Sequence, residues 1–237
     1  MKTTYIDISG IPVKLVKKRI RNLNLRVCRR TGEVRVSAPL HAGLHSIRSF
    51  VMSKKGWIEK HIRRSKERAP KPQHKYVQGE SHFITGREYR LQVIERDKPP
   101  SAEIAEDDIL RLFVRPGSDQ QKREKVLREW YRARLKKEIP ALIAKWEKEL
   151  NVTVKDWGVK QMKTRWGTCN IRDSRIWLNL ELAKTPFACL DYVVLHEMVH
   201  LLERYHNKRF YGIVAGHMPD WKDREQLLKG GVDYCRL

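Results

Sequence analysis

The chain contains the stretch Val193-Val194-Leu195-His196-Glu197-Met198-Val199-His200-Leu201-Leu202, which is apolar at all but three positions. Residues four apart lie on one face of a helix, so His196 and His200 can present two imidazoles to a single metal ion. Glu197, one position further round, leans over the same point. This H-E-x-x-H arrangement is typical of zinc hydrolases, in which the glutamate acts as a general base.

The motif needs a third ligand, because catalytic zinc usually takes three protein ligands and keeps its fourth position for water. His206 is the first candidate, since the spacing of His196, His200 and His206 is the one that metzincin proteases use. The glycine that metzincins need between the second and third histidines is absent, and Glu203 stands in its place. The site is therefore expected to resemble metzincins in ligand type only.

Glu203 is the alternative third ligand, because it lies on the histidine face of the predicted helix. It follows His196 by seven residues, which corresponds to roughly 10 Å along a helix axis. That distance favours His206. Without the glycine, we expect the chain to bend at Arg204 or Tyr205, where the apolar run ends.

The composition of the predicted metal helix also favours a metal ion. Its other residues are almost all apolar, and burying three polar side chains there without a partner would cost several kcal/mol. Four of the nine histidines fall between residues 196 and 217. We therefore predict one Zn²⁺ per chain. Three neutral imidazoles would leave the ion its full charge, which lowers the pKa of bound water and polarises a peptide carbonyl.

Further motifs accompany H-E-x-x-H: Arg165-Trp166-Gly167-Thr168-Cys169, Ile176-Trp177-Leu178-Asn179-Leu180, Asp191-Tyr192-Val193-Val194, and His206-Asn207 with Phe210. Together they resemble the YgjP-like family of zinc metallopeptidases. The resemblance extends, less specifically, to the N-terminal hairpin and helix and to Trp130-Tyr131, although the family usually has serine where Thr168 stands. It implies a zinc-dependent peptidase of the gluzincin-like or SprT-like kind and leaves the physiological substrate unnamed.

In such a peptidase Glu197 would take the proton from the attacking water and later deliver it to the leaving amine. The negative charge that develops on the tetrahedral oxygen needs a donor besides the metal. Arg165 is the candidate that the resemblance implies, because the family motif begins there. Tyr205, Tyr211 and His217 are the alternatives.

The strand and helix patterns predict an α+β protein with two domains. Residues 1–117 form a basic, β-rich region with one helix over 43–68, and a further boundary is possible near residues 70–72. Residues 118–237 form a zincin-like domain, in which a small antiparallel sheet packs on the H-E-x-x-H helix. A long helix opens this domain, and Pro140 should kink or divide it. No internal repeat is visible in the sequence.

Two local features are expected next to the metal helix. Thr185 is the predicted N-cap, and Pro186 then occupies the first helical position. An edge strand within residues 157–182 is expected to hold a peptide substrate in extended form by backbone pairing.

The net charge of +22 is concentrated at the N-terminus, where residues 1–72 carry 19 Lys and Arg against 4 Asp and Glu. Such asymmetry is typical either of a surface that binds nucleic acid or of a solvated basic face. The basic side chains expected to lie together are Lys17, Lys18, Arg19, Arg21, Arg29 and Arg30 on the hairpins, and Lys54, Lys55, Arg63 and Arg64 on the helix.

The alternative function is therefore a nucleic-acid-associated protein with a structural zinc site, or a protease that acts on DNA-bound proteins. Glu197 discriminates between these functions, because a structural site has no use for a carboxylate beside its water position and usually has four protein ligands.

The remaining composition excludes several other classes of protein. Apolar residues make up 41% of the chain, as in globular proteins. No apolar run approaches the roughly 20 residues that span a bilayer, and the first residues lack the apolar core of a signal peptide. The four cysteines, Cys28, Cys169, Cys189 and Cys235, are far apart and without C-x-x-C, which predicts reduced thiols. We expect a cytosolic monomer.

Overall fold

The structure, a computed structural model, describes residues 3–28, 31–67 and 74–230. Contacts between Cα atoms divide the chain into two units, Met1–Lys71 and Pro72–Leu237. The Pro-rich stretch around residue 70 lies outside the described residues.

The first unit is a four-stranded sheet followed by two helices. Its elements are β1 (Thr3–Ile8), β2 (Ile11–Lys18), β3 (Asn24–Val27), β4 (Val34–Pro39), α1 (Leu44–Met52) and α2 (Lys55–Glu67). The strand order is β1-β2-β4-β3, with β2 and β4 parallel and both outer pairs antiparallel. Alternate residues of β2 and β4 are buried with Ile47, Val51 and Ile58 in a core of this unit's own. The single helix expected over 43–68 is divided between Met52 and Lys55, and Gly56, a weak helix former, lies in the first turn of α2.

The second unit holds the remaining elements. They are β5 (Ser81–Ile84), β6 (Arg87–Glu95), β7 (Ser101–Ile104), β8 (Ile109–Val114), α3 (Gln120–Leu150), β9 (Asp156–Lys160), β10 (Gly167–Asn170), β11 (Arg175–Asn179), a 3-10 helix (Leu180–Lys184), α4 (Phe187–Val199), α5 (Lys208–His217) and α6 (Trp221–Gly230). Asp119 caps α3 by accepting a hydrogen bond from the Lys122 amide at 2.8 Å. Pro140 lies inside α3, which continues past it as one helix.

One hydrophobic core joins the β5–β8 sheet to α3, the β9–β11 sheet and α4. The predicted division between residues 117 and 118 would cut through this core. The contacts divide the chain some 46 residues earlier, between 71 and 72, because β5–β8 pack with the helices that follow them. The prediction of an α+β protein is confirmed.

The β5–β8 sheet repeats the topology of the β1–β4 sheet, although the sequence showed no repeat. Its order is β5-β6-β8-β7, again with a parallel central pair and antiparallel outer pairs. Both first hairpins turn on an x-Gly pair with positive φ at both residues, 52° and 80° at Ser9-Gly10 and 51° and 85° at Thr85-Gly86. These angles are those of a type I′ turn, which favours glycine.

The third sheet has the order β10-β11-β9. It is mixed and not wholly antiparallel as predicted, because β11 pairs with β10 antiparallel but with β9 parallel. The chain reverses twice between β9 and β11, so β11 returns in the direction of β9 and inserts beside it. This leaves β10 at the edge of the sheet.

Two smaller expectations can also be compared with the structure. Among the described residues no disulfide joins Cys28, Cys169 or Cys189 to another cysteine, and Cys235 lies outside these residues. Within the described ranges, no helix combines the length and the apolar character needed to cross a membrane.

Candidate metal centre

Helix α4 carries the H-E-x-x-H motif through the core of the second unit. Ten of its residues are buried, including apolar side chains on every side, which explains why its sequence lacks a clear polar face. The predicted N-cap is wrong by one residue. Pro186 precedes the helix without a side-chain cap, while the Thr185 hydroxyl donates to the Leu182 carbonyl at 3.0 Å and so closes the 3-10 helix.

The metal helix ends sooner than expected, at Val199, with His200 as its C-cap. The amides of Leu201 and Leu202 donate to the carbonyls three residues before them, at 3.0 and 2.9 Å. The Glu203 amide shares the Val199 carbonyl with Leu202, at 2.9 Å, and the α-helix does not continue beyond this turn. The helix thus ends before Glu203, and the chain bends at Arg204 and Tyr205, where the bend was expected.

The early end of α4 brings three histidines together. The Nε2 atom of His206 lies 3.0 Å from the Nε2 atom of His196 and 3.0 Å from that of His200. His206 reaches this position from the turn that precedes α5, and the next residue, Asn207, caps α5 through the Phe210 amide at 3.0 Å. The three predicted ligands thus meet at one point.

Hydrogen bonds at the other ring nitrogens orient two of these imidazoles. The Nδ1 atom of His200 lies 3.2 Å from the Glu203 carbonyl oxygen, and the Nδ1 atom of His196 lies 3.4 Å from the Tyr192 hydroxyl. A proton on Nδ1 leaves Nε2 free as a donor atom, which is the usual state of a metal-binding histidine.

The electrostatics of the cluster favour neutral imidazoles. Burial, together with the neighbouring His200 and His206, lowers the pKa of His196 to about 3. Burial also lowers the pKa of His200. A metal ion binds the neutral ring, so the lowered pKa values keep His196 and His200 in the state that metal binding requires.

Glu203, the alternative third ligand, makes two hydrogen bonds within this turn. Its carboxylate accepts a hydrogen bond from the Tyr205 amide at 3.2 Å, and its carbonyl orients His200. Among the described residues, the cluster with metal-ligand spacing at this point consists of His196, His200 and His206.

Glu197 lies under the edge strand β10, and Gly167 makes this possible. Glu197 is 6% exposed. A Cβ atom on Gly167 would lie 2.6 Å from both Cγ and Oε1 of Glu197, so only glycine lets the strand pass this close to the carboxylate. Burial raises the pKa of Glu197 to about 8, while the charge of Arg165 opposes the shift.

Arg165 is exposed and lies in the loop before β10. Its charge acts on Glu197, but the structure records no hydrogen bond from its guanidinium among the described residues. The backbone carbonyl of Arg165 accepts a hydrogen bond from Asn179 Nδ2 at 2.7 Å. The position of Arg165 therefore depends on Asn179.

Asn179 was not predicted as a site residue. Its buried side chain bonds to Met162 through both the amide and the carbonyl, at 3.2 and 3.1 Å, and to the Glu181 amide at 3.2 Å. Together with Arg165 these contacts hold the whole 162–165 loop. The signal in the sequence was a polar residue inside the apolar run Ile176-Trp177-Leu178-Asn179-Leu180.

The alternative oxyanion donors lie in different surroundings. Tyr205 is 65% exposed. Tyr211 stacks on Trp221 with ring centroids 5.0 Å apart, and its ring is 6.1 Å from that of His206. The Nδ1 atom of His217 is 4.0 Å from a carboxylate oxygen of Glu149 on α3, so its recorded partners are not in the histidine cluster.

A model of the YgjP-like metallopeptidase domain matches residues 21–230 of the chain. No curated protein gives a significant match. The family match covers most of the chain, which therefore belongs to the YgjP-like family and carries its metallopeptidase domain.

Proposed function

We propose that this YgjP-like metallopeptidase is a zinc-dependent peptide hydrolase. Its metal would be held by His196, His200 and His206, and Glu197 would be its general base. The observation that carries this proposal is that the Nε2 atom of His206 lies 3.0 Å from those of His196 and His200. The buried Glu197 follows His196 directly in the sequence.

The donor set suits Zn²⁺. Ligands of tetrahedral zinc at 2.0–2.1 Å lie about 3.3 Å from one another, close to the spacing of these nitrogens. Three imidazoles are unsuited to Mg²⁺ or Ca²⁺, which prefer oxygen ligands. A bound Zn²⁺ would polarise the peptide carbonyl and make a nearby water a better nucleophile.

The protein's own carboxylate then moves the proton. Glu197 would accept a proton from the attacking water as the carbon–oxygen bond forms, and would deliver it to the peptide nitrogen as the carbon–nitrogen bond breaks. General acid–base catalysis of this kind contributes about 10²–10⁴ in rate. The close contact with Gly167 limits the rotamers open to Glu197, so the carboxylate is already oriented when substrate arrives.

Arg165 would donate to the oxygen that becomes negative in the transition state. Its charge already acts on Glu197, which supports a position near the reacting atoms. The four side-chain hydrogen bonds of Asn179 would hold the Arg165 backbone at the distance this role needs.

The edge strand β10 supports an extended peptide as substrate. The Asn179 amide donates to the Trp166 carbonyl at 2.8 Å, so these two residues form a hydrogen-bonded pair. Antiparallel pairs alternate, which directs the backbone groups of Gly167 and Cys169 away from β11 and towards the open edge. We propose that a substrate strand pairs there, beside Glu197.

Metal analysis and peptide cleavage by Glu197→Gln test the proposal. Glutamine keeps the shape of the side chain but cannot accept the proton, so zinc should stay bound while hydrolysis falls at least a hundredfold. Glu203→Gln is the matched control and should keep both. Cleavage by Glu197→Gln at the wild-type rate would contradict the assignment.

Ligand variants test the metal site itself. His196→Ala and His200→Ala should each lose zinc, because each imidazole supplies one of three protein ligands. His206→Ala should lower zinc affinity far more than Glu203→Ala does. The reverse order would transfer the third position to Glu203.

Gly167→Ala tests the contact between the edge strand and Glu197. The added methyl group must displace the carboxylate or the strand, so turnover should fall about tenfold or more while zinc stays bound. Thr168→Ala on the same strand is the control and should leave turnover within about twofold. Equal turnover of the two variants would show that the close approach of Gly167 to Glu197 does not matter for catalysis.

A role in nucleic-acid binding stays a prediction. The burial of Glu197 beside the three histidines favours an enzyme over a structural zinc site. Cleavage assays of wild type with and without duplex DNA would show whether the basic first unit changes the reaction.

A further inference from the structure

A second cluster of metal-ligating side chains lies outside the H-E-x-x-H site. His74, Glu80 and His82 each offer one ligand atom, and these atoms lie within 4.8 Å of one another. His82 is on β5, and the other two residues precede that strand. Nothing in the proposed peptidase mechanism uses them.

The buried side chain of His82 has a ring nitrogen without a hydrogen-bond partner among the described residues. The side chain is 2% exposed, and this nitrogen is Nε2. The nearest oxygen recorded for it is Glu80 Oε1 at 3.8 Å, which is too long for a hydrogen bond. A buried polar atom without a partner costs free energy, and an ion bound there would remove that cost.

Glu80 is held so that one of its oxygens faces the histidines. Its Oε2 atom accepts hydrogen bonds from the amides of Lys75 and Val77, both at 3.1 Å. Its Oε1 atom contacts Nδ1 of His74. The Nε2 atom of His82 lies 3.8 Å from the same oxygen, and the rings of His74 and His82 stack with centroids 4.4 Å apart.

The cluster opens into a cavity of about 160 Å³. The opposite wall comes from α3, the end of β9 and the 3-10 helix, and its polar side chains are Glu124, Arg128, Tyr131, Gln161, Glu181 and Lys184. Lys184 pairs with Glu181 at 2.9 Å, so its charge is compensated. Because a water occupies about 30 Å³ of liquid volume, the cavity has room for an ion with several waters.

We propose that His74, Glu80 and His82 form a second divalent-metal site, which takes Zn²⁺ with water in its remaining position. Two imidazoles and one carboxylate are ligands that zinc accepts, whereas Mg²⁺ and Ca²⁺ prefer all-oxygen sites. The metal would fasten the segment before β5 to the sheet. The site stands whether or not the H-E-x-x-H site hydrolyses peptides.

Zinc titration of the demetallated full chain against a chromophoric chelator tests the proposal, with the visible absorption of bound Co²⁺ as a second readout. Wild type should bind about two equivalents. The double variant His196→Ala/His200→Ala should retain about one equivalent and show only the Co²⁺ spectrum of the His74, Glu80 and His82 site. Glu80→Gln should also retain about one equivalent and show only the spectrum of the H-E-x-x-H site. Mg²⁺ should not compete.

Glu124→Gln is the matched control, because it removes a carboxylate from the same cavity but not from the cluster. It should keep about two equivalents. A wild type that binds one equivalent, all of it lost in His196→Ala/His200→Ala, would overturn the proposal, as would undiminished binding by both Glu80→Gln and His74→Ala.

Thermal unfolding separates loss of metal from loss of fold. Metal-free wild type and metal-free Glu80→Gln should unfold at similar temperatures, and Zn²⁺ should raise the Tm of Glu80→Gln less than that of wild type. If Glu80→Gln does not fold, His74→Ala gives the same comparison, since the His74 side chain is 12% exposed and that of His82 only 2%. An equal rise of Tm in wild type and the folded variant would count against the second site.

Discussion

The β1–β4 and β5–β8 sheets have the same strand order, yet their first turns have different surroundings. A Cβ atom on Gly10, in the turn between β1 and β2, would have no heavy atom of the described residues within 4 Å. A Cβ atom on Gly86, in the corresponding turn, would lie 2.9 Å from Pro186 Cγ, directly before the metal helix. Among the described residues, the same strand order thus has an uncontacted first turn at Gly10 in the first unit, whereas in the second unit this turn packs against the residue before α4.

Backbone hydrogen bonds reinforce this contact in the second unit. The amides of Thr85 and Gly86 donate to the carbonyls of Ala183 and Lys184, at 2.9 and 3.0 Å. In the first unit the Gly10 amide bonds to Asp7 Oδ1 within its own turn. The start of α4 is therefore held by a sheet that the sequence pattern had assigned to the other domain.

The largest expected loss of stability comes from shortening a buried apolar side chain in each unit's hydrophobic core. Leu112 on β8 and Val36 on β4 are both fully buried, each in its own unit's core. Leu112→Ala should destabilise the second unit by about 2–5 kcal/mol and lower peptide cleavage. Val36→Ala should lower the free energy of unfolding of the first unit by roughly 2 kcal/mol and leave that of the second unit unchanged.

Denaturant unfolding followed by zinc release and by hydrogen exchange measures these two effects separately. Zinc release should shift to lower denaturant in Leu112→Ala and stay unchanged in Val36→Ala. An equal shift of zinc release in both variants would mean that the two sheets unfold as one cooperative body.

The turn glycines give the next largest effect. Alanine at either position meets the cost of a left-handed conformation, about 1–2 kcal/mol. Gly86→Ala must also displace Pro186 and with it the start of α4, so its loss of stability should be at least about twice that of Gly10→Ala. Thermal unfolding and peptide turnover should be measured for both variants. Equal losses of stability in Gly86→Ala and Gly10→Ala would show that the contact with Pro186 does not contribute to stability.

The sequence was most informative where local spacing decides the structure. The pattern of His196, His200 and His206 predicted a cluster because helix periodicity and one turn suffice to bring these residues together. The long helix expected at the start of the second predicted domain is present as α3, although Pro140 does not divide it.

Long-range contacts explain what was missed. The parallel pairings of β2 with β4, β6 with β8 and β9 with β11 join strands that are separated along the chain, so no local pattern reveals them. Gly167 and Asn179 lie within quoted motifs, but their roles depend on a strand passing over Glu197 and on a loop folding back.

The smallest expected effect concerns the charge difference between the two units. Not every basic side chain of the first unit is available for phosphates. Lys17 Nζ donates to the Ala42 carbonyl at 2.8 Å, and Lys14 pairs with Glu33 at 3.3 Å. Arg29 and Arg30 lie outside the described residues.

Four exposed residues, Arg21, Lys54, Lys60 and Arg64, are suitable for testing this charge difference. Four phosphate contacts predict a slope near −3.6 in log affinity against log salt, which weakens duplex binding more than a hundredfold between about 50 and 200 mM. Changing all four residues to Gln in the full chain should flatten that slope. The same change at four exposed lysines of the second unit, Lys98, Lys125, Lys136 and Lys137, should leave it unaltered. Absence of duplex binding by wild type at 50 mM salt would make the first unit's charge a solvated face, and equal loss in both variants would make binding a property of net charge alone.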